Sequence, residues 1–88
     1  MKLIITVLKD MDNEPVSQAL VGAGYRVTRI ASTGGFFRRG STTLMIGVDD
    51  QNLEDAIGLI KKATTPLREP SDISTTIFVL KVDQFIQI

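Results

Sequence analysis

Hydrophobic positions divide the chain into six segments that alternate between two periods. Leu3 to Leu8 is nearly continuous in apolar residues, with Leu3, Ile5 and Val7 on one face and Ile4, Thr6 and Leu8 on the other. That pattern predicts a strand buried on both sides. Asp10, Asp12 and Asn13 follow as turn and helix-cap groups, and Pro15 suits the first turn of a helix, where its missing N–H costs nothing. Val16, Ala19, Leu20 and Ala23 then recur at i, i+3, i+4 and i+7 as one apolar stripe, which Gly22 and Gly24 bring to an end. Tyr25 to Ala31 alternates imperfectly, with Tyr25, Val27, Arg29 and Ala31 on one face and Arg26, Thr28 and Ile30 on the other. Val27, Thr28 and Ile30 are strong strand formers between turn signals, so a second strand is predicted.

Thr42 to Val48 reads as a third strand, in which Gly47 allows a close backbone or ligand approach. Asp49 and Asp50 supply a cap and favourable negative charge for a second helix, whose stripe is Leu53, Ala56, Ile57 and Ile60 and whose last turn carries Lys61 and Lys62. Pro66 and Pro70 make Thr64 to Ser74 a loop. Thr75 to Val82 returns to strand composition, with Phe78, Leu80 and Val82 opposite Ile77, Val79 and Lys81, and the tail from Asp83 to Ile88 stays apolar to its end. The order strand, helix, strand, strand, helix, strand predicts an α+β, ferredoxin-like (βαββαβ) fold, a four-stranded antiparallel sheet with two helices on one face. Two helices leave the other face uncovered although the first and last strands bring apolar side chains to both. An exposed apolar face of roughly several hundred Å² is about the limit monomers tolerate, so self-association is predicted.

Composition narrows the chemistry. At 88 residues the chain suits one domain spanning 1–88, and 43% hydrophobic with 23% charged residues is ordinary for a soluble globular protein. No apolar run is long enough to span a bilayer. Ten basic residues balance ten acidic ones, so no bulk field draws nucleic acid or anionic lipid and any anion site must be local. Cysteine and histidine are both absent, which removes disulfides, zinc-thiolate sites and every Ser-His or Cys-His arrangement. A non-enzyme is expected. Asp10, Asp12, Asp49 and Asp50 sit at separate helix starts where capping explains them, so no metal and no cofactor are expected. The opening from Met1 to Ile5 reads as a first strand with no small-residue cleavage site behind it, which points to a cytoplasmic location.

One connection between strands breaks the pattern. Ala31-Ser32-Thr33-Gly34-Gly35-Phe36-Phe37-Arg38-Arg39-Gly40-Ser41-Thr42-Thr43 combines glycines, hydroxyls, two aromatics and two arginines, a mixture no buried core requires. Adjacent glycines let backbone N–H groups face a ligand, hydroxyls and arginines meet phosphate, and an aromatic stacks on a flat ring. Taken alone, a glycine pair is more often a tight turn between strands. Phe36 or Phe37 is equally a packing residue, with Phe36 the better base contact, and Arg38 and Arg39 are equally a solvated loop tip. Arg26 is either a ligand contact or one half of a structural ion pair, and Gly47 either meets ligand or relieves crowding.

That loop, the opening Met1-Lys2-Leu3-Ile4-Ile5, Tyr25-Arg26-Val27-Thr28, Met45-Ile46-Gly47-Val48 and Ile77-Phe78-Val79-Leu80-Lys81-Val82-Asp83-Gln84-Phe85 together resemble the cyclic di-AMP receptor family of PII-like signal transduction proteins. The resemblance covers almost the whole chain. It implies a homotrimer of PII-like domains that carries cyclic di-AMP in clefts between subunits and signals to a further, unidentified protein. It also implies ligand contacts at Arg26, Val27, Thr28, Gly35, Phe36, Phe37, Ser41, Gly47 and Gln87, with no catalytic or metal-binding residue. Three departures stand out. Gly24 and Ser41 occupy positions where the family usually has asparagines, and Thr64 to Ser74 is much shorter than the family's glycine-rich loop at that place. Two amides at about 1 kcal/mol each correspond to about one to two powers of ten in affinity. The alternatives are therefore a PII-like trimer that has lost cyclic di-AMP or takes another adenine nucleotide and, from a different class, a small ferredoxin-like enzyme resting on carboxylates and arginine.

Overall fold

The structure is a computed structural model and describes residues 1–30, 40–66 and 75–88. Its elements are β1 (Lys2–Lys9), α1 (Asp10–Gly22), β2 (Val27–Ile30), β3 (Ser41–Val48), a 3-10 turn (Asp50–Asn52), α2 (Leu53–Ala63) and β4 (Thr76–Lys81). The strands form one antiparallel sheet in the order β2-β3-β1-β4. The fold is the ferredoxin-like α+β arrangement that the periodicities predict.

Register explains which residues become core. Val27, Ile46, Ile4 and Val79 form one row across the sheet, and Thr28, Met45, Ile5 and Phe78 form the next row on the opposite face. In the first row Ile4 and Ile46 are fully buried, because Val16 and Leu20 of α1 and Ala56 and Ile60 of α2 pack over them. The flanking Val27 is half-buried and Val79 is exposed, so the helix layer covers the middle of the sheet and leaves the β4 edge open. On the other face Ile30, Phe78 and Leu80 remain 36%, 49% and 48% exposed. β1 lies between β3 and β4, so both its edges are paired, and it carries apolar residues on both faces.

Helix starts differ from expectation. α1 begins at Asp10, so Pro15 lies inside the helix instead of in its first turn. The helix is already under way there, and Met11 loses the i→i−4 partner that Pro15 cannot provide. Neither Asp10 nor Asp12 makes a side-chain cap, nor do Asp49 and Asn52 before the 3-10 turn and α2. The carboxylates of Asp10 and Asp12 are committed elsewhere, to Thr42 and Thr65. Asp12 also extends the buried stripe of α1 backwards by one turn, to Asp12, Val16 and Leu20. At the other end Gly24 adopts φ +94°, the left-handed conformation that closes a helix, while the N–H groups of Gly24 and Tyr25 bond to Val21 and Leu20 carbonyls at 3.0 Å each.

Among the described residues no helix is long and apolar enough to cross a membrane. Ile46→Ala is expected to cost about 2–5 kcal/mol, measured by denaturant unfolding at fixed protein concentration, because it empties the middle of the helix-covered row. Val21→Ala, on the exposed side of α1, should change stability by no more than about 0.5 kcal/mol. Equal losses at both positions would contradict this placement of the core.

Candidate functional site

Chain closure at one end of the sheet builds the site. The turn at Gly24 delivers Arg26 to the start of β2, and the pairing of Leu3 with Gly47 sets β1 against the last residues of β3. Val82 N–H donates to the Met1 carbonyl at 3.1 Å, extending the β1–β4 pairing by one residue and sending the tail onward from there. The result is a cavity of about 420 Å³ lined by Met1, Leu3, Arg26, Thr28, Met45, Gly47, Val82, Phe85 and Gln87. Its walls are chiefly aliphatic, thioether and aromatic, and one guanidinium, one hydroxyl and one carboxamide supply the polar contacts. Apolar walls with a few placed polar groups suit a flat ring attached to an anion.

Gly47 matters sterically. A Cβ there would lie 3.0 Å from the Met1 Cε, so a side chain at 47 would shift the flexible end of Met1 by a few tenths of an ångström. Met1, Arg26 and Gly47 also border a second cavity of about 500 Å³, which takes in Gly24, Tyr25, Asp49, Asn52 and Asp55. Two carboxylates, Asp49 and Asp55, and the Arg26 guanidinium line this side. The Tyr25 hydroxyl donates to Asp55 Oδ2 at 2.7 Å, and that bond, aided by burial and the carboxylate charge, raises the phenol above its ordinary pKa. The Met1 ammonium lies 3.0 Å from Asp50 Oδ1, and hydrogen bonding to it holds the Asp50 carboxyl below the usual carboxylate range.

Arg26, Thr28, Gly47 and Gln87 were each singled out from the sequence, and the fold brings all four to the first cavity. Val27 is placed differently. Its side chain packs against the core on the helix side, so it can meet a ligand only through its main chain on the outer edge of β2. Ser41 stands at the opposite end of β3 from Gly47, six residues and about 20 Å away; it is 3% exposed and borders neither cavity. Gly35, Phe36 and Phe37 lie outside the described residues, as do Arg38 and Arg39. Sequence reasoning missed Met1, Leu3, Met45 and Phe85 as lining residues. Alternation could place Leu3 on one face of its strand, but only the β1–β3 register puts it beside Gly47.

Tyr25 is the single tyrosine of the chain, so its titration can be followed by ultraviolet absorbance without interference. The native midpoint is expected above that of free tyrosine and should fall back towards it in Asp55→Ala. A hydrogen bond to the neutral phenol stabilises the fold below the ordinary phenol pKa and is lost as pH rises through the raised value. An unchanged midpoint in Asp55→Ala would contradict the pairing.

Comparison with known proteins gives this geometry its context. The fold is similar to the crystal structure of a functionally unknown protein from Pediococcus pentosaceus ATCC 25745, with a TM-score of 0.79 and 33% sequence identity over 99% of this chain and 96% of that one. Residues 1–70, which include Arg26, Thr28 and Gly47 together with the glycine-rich connection, match the family described as the cyclic-di-AMP receptor. The chain therefore belongs to the cyclic-di-AMP receptor family.

Proposed function

We propose that the protein is a non-catalytic signalling receptor that binds cyclic di-AMP in the clefts between subunits of a homotrimer and passes its occupancy to a protein partner. The observation that carries this reading is the convergence of Arg26, Thr28, Gly47 and Gln87 on one largely apolar cavity. Arg26 gives a charge-assisted bond to a phosphate oxygen, Thr28 a hydroxyl donor, and Gln87 an amide that pairs with an adenine edge. Leu3, Met45 and Phe85 offer the purine an apolar wall. Family membership supports the ligand. The absence of histidine and cysteine leaves little for acid–base or nucleophilic catalysis to use.

Two features support assembly. The face of the sheet away from the helices carries Ile30, Phe78 and Leu80 in exposed positions, an apolar surface that a second copy would cover. The described anchors of segment 31–39, Ile30 and Gly40, stand at the end of the sheet opposite Arg26 and Gly47. A neighbouring copy brings that segment, with Phe36 as the base contact, to the cavity without requiring it to return across its own sheet. A second reading is favoured by Gly24, which borders the second cavity beside Arg26 and Gly47 where the family usually has an asparagine. Here a PII-like trimer takes a different adenine nucleotide in place of cyclic di-AMP.

Calorimetry with cyclic di-AMP tests the first reading. Binding should be measurable for the native chain and about 10- to 150-fold weaker in Arg26→Ala, the range a hydrogen bond to a charged group commands. No heat on a protein shown to be trimeric would overturn it, and parallel titrations with cyclic di-GMP, ATP and AMP would identify the second reading. Sedimentation at micromolar concentration should give three copies; a stable monomer would remove the assembly.

A further inference from the structure

At the end of the sheet opposite both cavities, two carboxylates tie together connections that are distant in sequence. Asp10 N–H donates to the Gly40 carbonyl at 2.9 Å, and its carboxylate accepts the Thr42 hydroxyl. Asp12 Oδ1 accepts both the Thr65 main-chain N–H, at 3.2 Å, and the Thr65 hydroxyl. Gly40 and Thr42 lie where the chain enters β3 after segment 31–39, and Thr65 lies just beyond α2, before segment 67–74. One turn, with its two aspartates two positions apart, therefore grips both places.

The grip is made at some cost. Asp12 is only 2% exposed, and its Oδ2 is buried without a hydrogen-bond partner. In the first turn of α1 a carboxylate favours the helix start even from the exposed side, yet this one is turned inward onto Thr65. Lys9 Nζ meanwhile donates to the Thr65 carbonyl at 3.5 Å, the outer limit of a hydrogen bond, and forms no ion pair with Asp12. Thr65 is thus held at its N–H by a carboxylate and at its C=O by a long bond from an ammonium. The unfilled Oδ2 offers that ammonium a better acceptor, and taking it would release the Thr65 carbonyl. Coupling between distant segments requires an element with two discrete arrangements: the structure shows one, with Lys9 on the Thr65 carbonyl, and the other would place Lys9 on Asp12 Oδ2.

We propose that the Asp10–Asp12 turn is a coupling latch, with Asp12 as its positioning residue, through which a change at Gly40 and Thr42 alters the hold on Thr65 and the reverse. Linkage makes the effect reciprocal. That cyclic di-AMP is what moves the Gly40 end rests on the receptor reading above; the mechanical coupling does not.

Amide hydrogen exchange by NMR on the full, ligand-free chain tests the coupling. Thr42→Val should raise exchange of the Thr65 amide at least threefold, and Thr65→Val should do the same at the Asp10 amide. The Ile46 amide in the sheet centre reports any general loss of stability and should change less in both variants. If each substitution moves only its own partner, or if Thr65 and Ile46 rise by one factor, the latch is overturned. With saturating cyclic di-AMP the native Thr65 amide should shift, and the shift should shrink at least threefold in Thr42→Val. Binding with no response at Thr65 overturns the signalling role. A failure to bind removes the receptor reading, while the ligand-free comparison still decides the latch.

Discussion

Two helices cannot cover both faces of a four-stranded sheet, and here both faces are apolar. The row Val27, Ile46, Ile4 and Val79 lies under the helix layer, while the row Thr28, Met45, Ile5 and Phe78 has no layer of its own. At about 25 cal/mol per Å² of apolar surface removed from water, whatever covers the second row contributes substantially. Part of that cover comes from the chain itself, since the Val82–Met1 hydrogen bond directs the tail so that Phe85 and Gln87 border the cavity beside Leu3 and Met45. The remainder is left for another molecule. The candidate ligand and the proposed neighbouring subunits both answer this one deficit of cover.

The same constraint shapes the site's chemistry. Its polar groups, Arg26, Thr28 and Gln87, are exposed at the rim of an apolar face, where the guanidinium would meet a phosphate and the apolar wall a purine. Gly47 keeps the floor low enough for Met1 to lie across it. Gly24 and Ser41 then acquire distinct meanings. Gly24 leaves room beside Arg26, whereas Ser41 stands at the other end of the sheet, among the residues that enter β3 near the Asp10–Asp12 turn.

Much of this was legible in the sequence because apolar periodicity is strongest where burial is most complete. The stripes Val16–Leu20 and Ala56–Ile60 and the continuous run Leu3–Leu8 specify helices and a central strand without ambiguity. Arg26, Thr28, Gly47 and Gln87 were found through a whole-chain resemblance, and the fold gathers them because β2, the end of β3 and the tail meet beside Met1. The helix starts were misread for a physical reason. An aspartate near a helix start is ordinarily a cap, and no local pattern reveals that Asp12 instead bonds to Thr65, fifty-three residues further on. Lining residues such as Leu3 and Met45 were invisible as site residues because an apolar side chain carries the same signal in a core, an interface or a pocket.

The most direct measurement is a crystal structure of the full chain grown with cyclic di-AMP. The expected density places a phosphate on Arg26 and Thr28 and a purine against Leu3, Met45 and Phe85 of one subunit, with segment 31–39 of a neighbouring subunit closing the other side. Cyclic di-AMP enclosed by a single chain, or bound away from Arg26 and Gly47, would contradict the proposed site.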